Sequence, residues 1–509
     1  MAIQIKTIGI NGIEGYAIDV QVKVLSGPFT MNIVGLGDAA IKEARDRIES
    51  ALVQLDLHFP RKKIVVNLSP SDIKKSGTSF DLPMLIGLLL ETKQITPLDI
   101  NFNEVAFIGE VGLNGTINHT RGILPMVIGA KQSGIKKVIL PRESLEEASI
   151  VKDIELFGFK TLIDVLLWLE KSIYQPILPI HKVEYQSVSS KLDFRDVKGH
   201  NHILEYIAIA ASGNHNMLLI GPPGCGKSMI AKRIPSILPP LSDVEMLEVL
   251  AIHSVTGNVL QNSGKYEHPF RSPHYNTSAN AVIGGGNNAM PGEISLAHNG
   301  VLFLDEMPEF SRQTLEALRQ PLEDQYVTVA RVKQTNTYPA NFILLGAMNP
   351  CPCGYAGSPK CICTPHDITR YRKRISGPVY DRIDIQKFLS SVDLFQNDHS
   401  GICIDSSSLS QVVKQARAFQ LKRFKDENIS TNSQMSNAQV QKYCTLDNES
   451  IEYLRTSFER FGFSARAYSS ILKVARTAAD IRVSDKIAIQ DIKTALLARD
   501  LDKEAGGRY

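Results

Sequence analysis

MLLIGPPGCGKSMIA, running from Met217 to Ala231, is the stretch on which the fold turns. Met217–Ile220 reads as a short buried strand. Gly221, Pro222, Pro223, Gly224, Cys225 and Gly226 follow as a loop, and a helix begins near Lys227. The three glycines let the backbone curl so that its amides point inward at phosphate oxygens. The helix adds the positive end of its dipole. In this frame Lys227 is placed to reach the terminal phosphates of a nucleotide, and the Ser228 hydroxyl to ligate Mg2+. A glycine-rich turn with no ligand has no need of a strand before it and a helix after it.

Downstream, VLFLDE at Val301–Glu306 ends an apolar run in two carboxylates. Carboxylates at the end of a buried strand are unusual unless they are used. Asp305 is the candidate Mg2+ holder and Glu306 the group that polarises an attacking water. The alternative is a charge pair at a helix start. FILLG at Phe342–Gly346 reads as a third buried strand, and Asn349 follows it in LLGAMNP. Asn349 is placed either to orient that water or to form a turn before Pro350. Strands alternating with helices predict a parallel, three-layer α/β sheet.

The whole chain has 509 residues, 43% hydrophobic and 21% charged, with a net charge of +3. That length allows several domains. No apolar run approaches the roughly 18–20 residues of a membrane span, and Leu82–Leu90 is broken by Pro83 and Gly87. The N-terminus, MAIQIKTIGI, shows no export signal, so the cytoplasm is the expected compartment. A mildly basic balance permits nucleic-acid binding without arguing for it.

The chain divides into residues 1–172, a Pro- and Ser-containing linker over 173–192, an ATPase-type core over 193–395 and a helical region over 396–509. In the first region, Lys63–Leu68 and Val105–Ile108 read as strands. Asp38–Leu55 reads as one helix with an apolar stripe at Ala40, Ile41, Ala44, Ile48, Ala51 and Leu52. In the last, Ser464 is a candidate N-cap for a helix over Ala465–Ile481, with Tyr468, Leu472, Ala475 and Ala479 on one face.

Several blocks resemble the YifB/ComM family of magnesium-chelatase-like AAA+ proteins. They include DVKGH (Asp196–His200), HPFRSPH (His268–His274), PGEISLAHNGVLFLDEMPEF (Pro291–Phe310), LRQPLED (Leu318–Asp324), AMNPCPCGY (Ala347–Tyr355) and RYRKRISGPVYDRIDIQ (Arg370–Gln386). FDLPMLIGLL (Phe80–Leu89) and FSARAYSSILKVARTAADI (Phe463–Ile481) extend the likeness to both ends. The resemblance implies an AAA+ P-loop core with a helical lid, assembled as a homo-hexameric ring. It implies ATP and Mg2+ as cofactors and Asn349 at the sensor position. Arg382 looks like the finger that a neighbouring subunit inserts, with Arg374 as runner-up, and Arg466 looks like the lid arginine that senses the γ-phosphate within its own subunit. The segment His268–Gly286, with Pro291–Ile294, resembles an inserted pore loop, and Val327–Lys333 a hairpin before the sensor strand.

The N-terminal region resembles the Lon-protease fold, an α+β domain of the ribosomal S5 type 2 class. Ser79 falls at the nucleophile position. Its base would be a lysine, and the chain GEVGLNGTINHTRGILP (Gly109–Pro125) puts Leu124 there. Arg121 and Lys131 are close by but out of place, and arginine is no base at neutral pH. The domain is therefore expected to be non-proteolytic, with Ser79 a turn or capping residue.

Cys351, Cys353, Cys361 and Cys363 form CxC–x7–CxC. Four thiols in a short loop of a reduced protein read as a structural zinc site rather than a disulfide framework. Cys225 is expected to pack, and Cys403 and Cys444 show no partner in the sequence.

Three functions compete. One is a DNA helicase or branch-migration motor of recombination or natural transformation, acting on single-stranded or branched DNA. Its candidate contacts are Arg271, His274, Asn276, Arg331 and Lys333. The second is a magnesium-chelatase-like motor subunit or regulatory ATPase that does not act on DNA; no DxSxS metal motif supports it. The third, an ATP-dependent protease, is opposed by Leu124.

Overall fold

The structure is a computed structural model that describes residues 2–98, 100–171, 192–257, 267–286, 289–331, 334–390 and 404–501. The linker expected over 173–192 falls almost wholly outside them. So do Lys333, Cys403 and the expected boundary at 395–396.

The N-terminal region is built on a seven-stranded mixed sheet. Its order is Thr30–Val34, Lys63–Ser69, Glu14–Leu25, Ile3–Asn11, Val105–Phe107, Lys137–Pro141 and Glu155–Phe159. Glu14–Leu25 runs antiparallel to both neighbours, and the remaining pairs are parallel. The helix Asp81–Glu91 is buried from Asp81 to Leu89, so its apolar run is a core helix. The expected single helix over 38–55 divides at Glu43 into Ala39–Lys42 and Ala44–Gln54; Ile41, Ala44, Ile48, Ala51 and Leu52 reach the core, whereas Ala40 of the expected stripe is only half-buried.

The second region has a five-stranded parallel sheet in the order Phe270–Arg271, Val301–Leu304, Ile343–Met348, Met217–Ile220 and Ile385–Phe388. The side-chain period of two sorts these strands cleanly. Met217, Leu219, Phe303 and Leu345 enter a core shared with the helix Asn201–Gly213 and with the C-terminal helices. Leu218, Ile220, Leu302 and Leu344 enter the opposite core, with Phe310, Leu315 and Val379. The result is the expected three-layer sandwich.

The C-terminal region is helical: Ser406–Arg423, Asn437–Tyr443, Asn448–Phe461, Ala465–Ile481 and Ile489–Leu497. Ser464 caps the fourth, its hydroxyl accepting from the Ala467 amide at 3.2 Å. The buried stripe is Ile471, Leu472, Ala475 and Ala479. Tyr468 is not part of it; 42% exposed, it lies beyond the edge of the core and packs edge-on against Phe458. A polar seam joins lid to sheet: His215 bonds Asp384 at 3.0 Å and Thr477 at 2.8 Å, and the Ser470 hydroxyl donates to Asp384 at 2.5 Å.

The first two regions also share a core. The helix Ile123–Gln132 packs on the helix Asp243–Thr256, and Leu124, Met126 and Val127 cluster with Leu241, Met246, Val249 and Leu250. The amide of Leu124 donates to the Ser254 hydroxyl at 3.3 Å.

Candidate nucleotide site

The glycine loop leaves the C-terminal end of Met217–Ile220 and enters the helix Lys227–Ala231. Gly224 and Gly226 have φ of 78° and 91°, the left-handed region in which glycine pays no Cβ penalty. Cys225 is buried, as expected, and its carbonyl lies 2.9 Å from the His200 Nε2 of the DVKGH block.

Lys227 is only 9% exposed. Its ammonium donates to the Gly221 carbonyl at 2.7 Å, the Pro222 carbonyl at 3.0 Å and the Asn349 amide oxygen at 3.3 Å. All these acceptors are neutral, and no described carboxylate lies within ion-pair distance. A buried cation without an anion is costly. The loop therefore suits an anionic group such as a nucleotide phosphate.

Ser228 donates to Asp305 Oδ2 at 2.7 Å, and Asp305 Oδ1 accepts from the Glu306 amide at 3.0 Å. A hydroxyl and a carboxylate on neighbouring elements make a hard-oxygen pair of the kind Mg2+ takes. Glu306 has φ 49° and ψ 44°. A non-glycine residue held in this conformation stores strain, which collects at functional sites. Its exposed carboxylate has no hydrogen-bond partner among the described residues.

The arginines separate. Arg374 stays on the acidic side, bonding Glu309 at 2.6 Å with its guanidinium over Tyr371. Arg382 lies elsewhere. Its carbonyl accepts from Asn216 Nδ2 at 2.9 Å, and the strand that follows starts with Ile385 paired to Met217. The glycine loop follows the other end of that strand, roughly 10 Å away at the rise per residue of a strand. Within one chain Arg382 therefore sits at the opposite strand end from its own loop. Arg466, expected over its own phosphate loop, accompanies Arg382 instead: both pair with Glu323, Arg466 at 3.6 Å. The reason is the seam at Asp384, which fixes the start of the lid helix to that same strand end. Nothing in the sequence singled out Glu323 from the rest of LRQPLED.

Among the pore-loop candidates, Arg271 is committed to Glu293 through two bonds of 2.6 and 2.8 Å. This leaves His274 and Asn276 as exposed polar side chains of that loop. The hairpin Tyr326–Arg331/Gln334–Pro339 presents Tyr326, Thr328, Ala330, Thr335 and Thr337 outward.

The four cysteine sulfurs lie within 4.8 Å of one another. Measured separations are 3.3 Å for Cys351–Cys353, 3.9 Å for Cys351–Cys361 and 3.8 Å for Cys353–Cys361. A Zn–S bond of about 2.3 Å gives tetrahedral edges of about 3.8 Å, so the cluster could hold such a metal. Backbone amides of Ile362 and Tyr355 draw the Cys353 thiol down to about 6. The cluster touches the glycine loop: a Cβ on Gly354 would fall 2.7 Å from Pro223 Cδ.

At the Lon-like nucleophile position, Ser79 is a turn residue, 2% exposed, with a hydroxyl that has no partner among the described residues. Leu124, at the lysine position, is fully buried. Lys131 points away, onto Asp153 at 3.0 Å.

This combination of sheet order, phosphate loop and acidic strand end defines an AAA+ ATPase core, here preceded by a Lon-like α+β region. Family models agree. Magnesium chelatase, subunit ChlI, matches residues 193–396; Subunit ChlI of Mg-chelatase matches residues 20–144; and Magnesium chelatase, subunit ChlI C-terminal, matches residues 404–499. The chain is 36% identical over 495 residues to the uncharacterized protein YifB of Salmonella typhimurium, covering 97% of this chain and 96% of that one. It is 35% identical over 489 residues to the competence protein ComM of Haemophilus influenzae, covering 95% of each. Lon protease 2 of Bacillus subtilis is 38% identical over 100 residues, 19% of this chain and 17% of its own. The chain belongs to the YifB/ComM family of magnesium-chelatase-like AAA+ ATPases. ATP and Mg2+ are the cofactors that membership implies. Among the described residues no helix is long and apolar enough to cross a membrane.

Proposed function

We propose that the chain is a homo-hexameric, ATP-driven cytoplasmic motor whose track is DNA, single-stranded or branched. The observation that carries the ring is the position of Arg382. A finger at the opposite strand end from its own phosphate loop is suited to a second copy's loop.

In this reading Gly221–Gly226 and Lys227 hold the phosphates. Mg2+, when bound, offsets phosphate charge, and Ser228 with Asp305 would hold it. Glu306 polarises the attacking water and Asn349 orients it. Arg382 from the neighbouring copy neutralises the charge that develops on the transferred phosphoryl group. Arg466 joins Arg382 on that neighbouring surface. Arg374, tied to Glu309, remains the second candidate for the finger.

We read the N-terminal domain, residues 1–172, as non-proteolytic. A sealed Ser79 and a leucine in place of the base leave no nucleophile to activate. The cysteine cluster, in turn, holds a structural zinc that stiffens the loop between Asn349 and Arg382.

DNA ranks first among tracks because one relative is named for competence and because His274, Asn276 and the 326–339 hairpin present polar faces. The test is the ATPase rate with and without single-stranded, duplex and branched DNA. Stimulation that vanishes in Lys227→Ala and Glu306→Gln variants supports a DNA motor in recombination or transformation. Indifference to every DNA leaves the second reading, a chelatase-like or regulatory ATPase.

A further inference from the structure

A finger that serves a neighbour should project, yet the Arg382 side chain is only 9% exposed. One terminal nitrogen donates to the Pro378 carbonyl at 2.7 Å, and the other is paired with Glu323. Arg466 reaches the second oxygen of the same carboxylate at 3.6 Å. Glu323 itself is 55% exposed, at the mouth of a cleft of about 690 Å3 between the ATPase core and the lid. Its carboxyl is held below the ordinary range first by the bond from Arg382, with Arg466 and Arg319 adding to it. Two cations that the ring needs for phosphate thus converge on one internal anion.

We propose that Glu323 is an intramolecular stand-in for the terminal phosphate of a neighbouring copy's ATP, holding Arg382 and Arg466 in the lone chain and releasing them when that phosphate arrives. The inference rests on the shared-site reading above. A phosphate carries more charge than a carboxylate and offers three acceptor oxygens. A half-exposed carboxylate is a weak holder by comparison. The exchange therefore runs toward the neighbour's nucleotide when one is present and back to Glu323 when it is not. Glu323 is a positioning residue here: it acts through the arginines and touches no nucleotide. Its charge sets the concentration of ATP-loaded partner needed to form the joint site.

The experiment uses the full chain and reads two quantities against protein concentration: ATPase rate, and assembly measured by sedimentation with a non-hydrolysable ATP analogue. Glu323→Gln keeps the shape and removes the charge. It should reach half-maximal assembly and half-maximal rate at roughly three- to tenfold lower protein concentration, the size expected for losing one competing partly exposed ion pair. Glu323→Ala should shift the same way. Coupled to Arg382→Ala and Arg466→Ala together, neither should give any gain. Unaltered thermal midpoints check that all variants fold. Assembly of Glu323→Gln at the same or a higher concentration than the parent overturns the proposal. So does a loss of hydrolysis matching that of Arg382→Ala, which would make Glu323 a support for the working arginine. If Arg382→Ala alone hydrolyses ATP at the parental rate, the shared site itself falls, and the stand-in with it.

Discussion

Lys227 and Asn349 are in contact, the ammonium donating to the amide oxygen at 3.3 Å across 122 residues of chain. The parallel pairing of Ile220 with Met348 creates this contact by ending two neighbouring strands at the same level. Among the described residues the buried cation has only neutral partners, so its removal should cost binding far more than stability. Lys227→Ala should weaken ATP binding at least about tenfold with a thermal midpoint within a few degrees of the parent. Fluorescent nucleotide titration alongside calorimetry checks both. Intact nucleotide affinity would show that the loop does not use this lysine.

Glu306 should divide binding from chemistry. Its exposed carboxylate has no partner to lose among the described residues, so Glu306→Gln should bind ATP as the parent does. Its hydrolysis should fall by about a hundredfold or more, the usual worth of a positioned general base. A variant that turns over at half the parental rate would remove Glu306 from this role.

If Arg382 serves a neighbouring copy, as proposed, activity becomes a property of mixtures. Arg382→Ala should bind ATP but barely hydrolyse it. Added to the parent protein, it should lower the rate more steeply than its share of subunits, since each altered copy disables a neighbour's site. Strict proportionality in a mixing titration would argue for sites complete within one chain.

For the cysteine cluster, elemental analysis should find close to one zinc per chain. Cys361→Ser should lose it and lower the thermal midpoint by several degrees, since a structural metal adds directly to folding stability. Because Gly354 rests on Pro223, the same change should also raise the ATP concentration for half-maximal rate. No zinc, and no thermal change on chelation, would refute the metal.

The lid seam should respond to acid. Burial acts to raise the Asp384 carboxyl, but the bonds from His215 and Ser470 oppose it and leave it below the ordinary value. A depressed native pKa gives stability that is present above about pH 4 and lost as pH falls through the lowered value. Asp384→Asn should therefore be less stable than the parent at pH 7, with the gap closing on descent below pH 4. Denaturant midpoints measured from pH 3 to 7 decide this. A gap that stays constant would mean the carboxylate's charge is not what holds the seam.

What the sequence made legible was local. The glycine loop, the acidic strand end and the four cysteines each lie within a few residues, where spacing alone dictates geometry. The continuous apolar runs announced the buried strands, and Ser464 its cap. Convergence through space was not legible. Glu323 looks like any helix carboxylate until the sheet and lid bring Arg382 and Arg466 to it from 59 and 143 positions away. Arg271 looked free because Glu293, its partner, belongs to a different element. Tyr468 fitted a helical stripe by spacing, but the stripe outruns the core it faces.

The Leu124–Ser254 bond and the apolar cluster around it have a mechanical consequence. The N-terminal region is joined to the ATPase helix Asp243–Thr256 by a shared apolar cluster, so the two should respond to strain as one unit. Cutting the chain near residue 172 would not free a tidy motor. It would strip Leu241, Met246, Val249 and Leu250 of part of their apolar cover and leave a sticky flank.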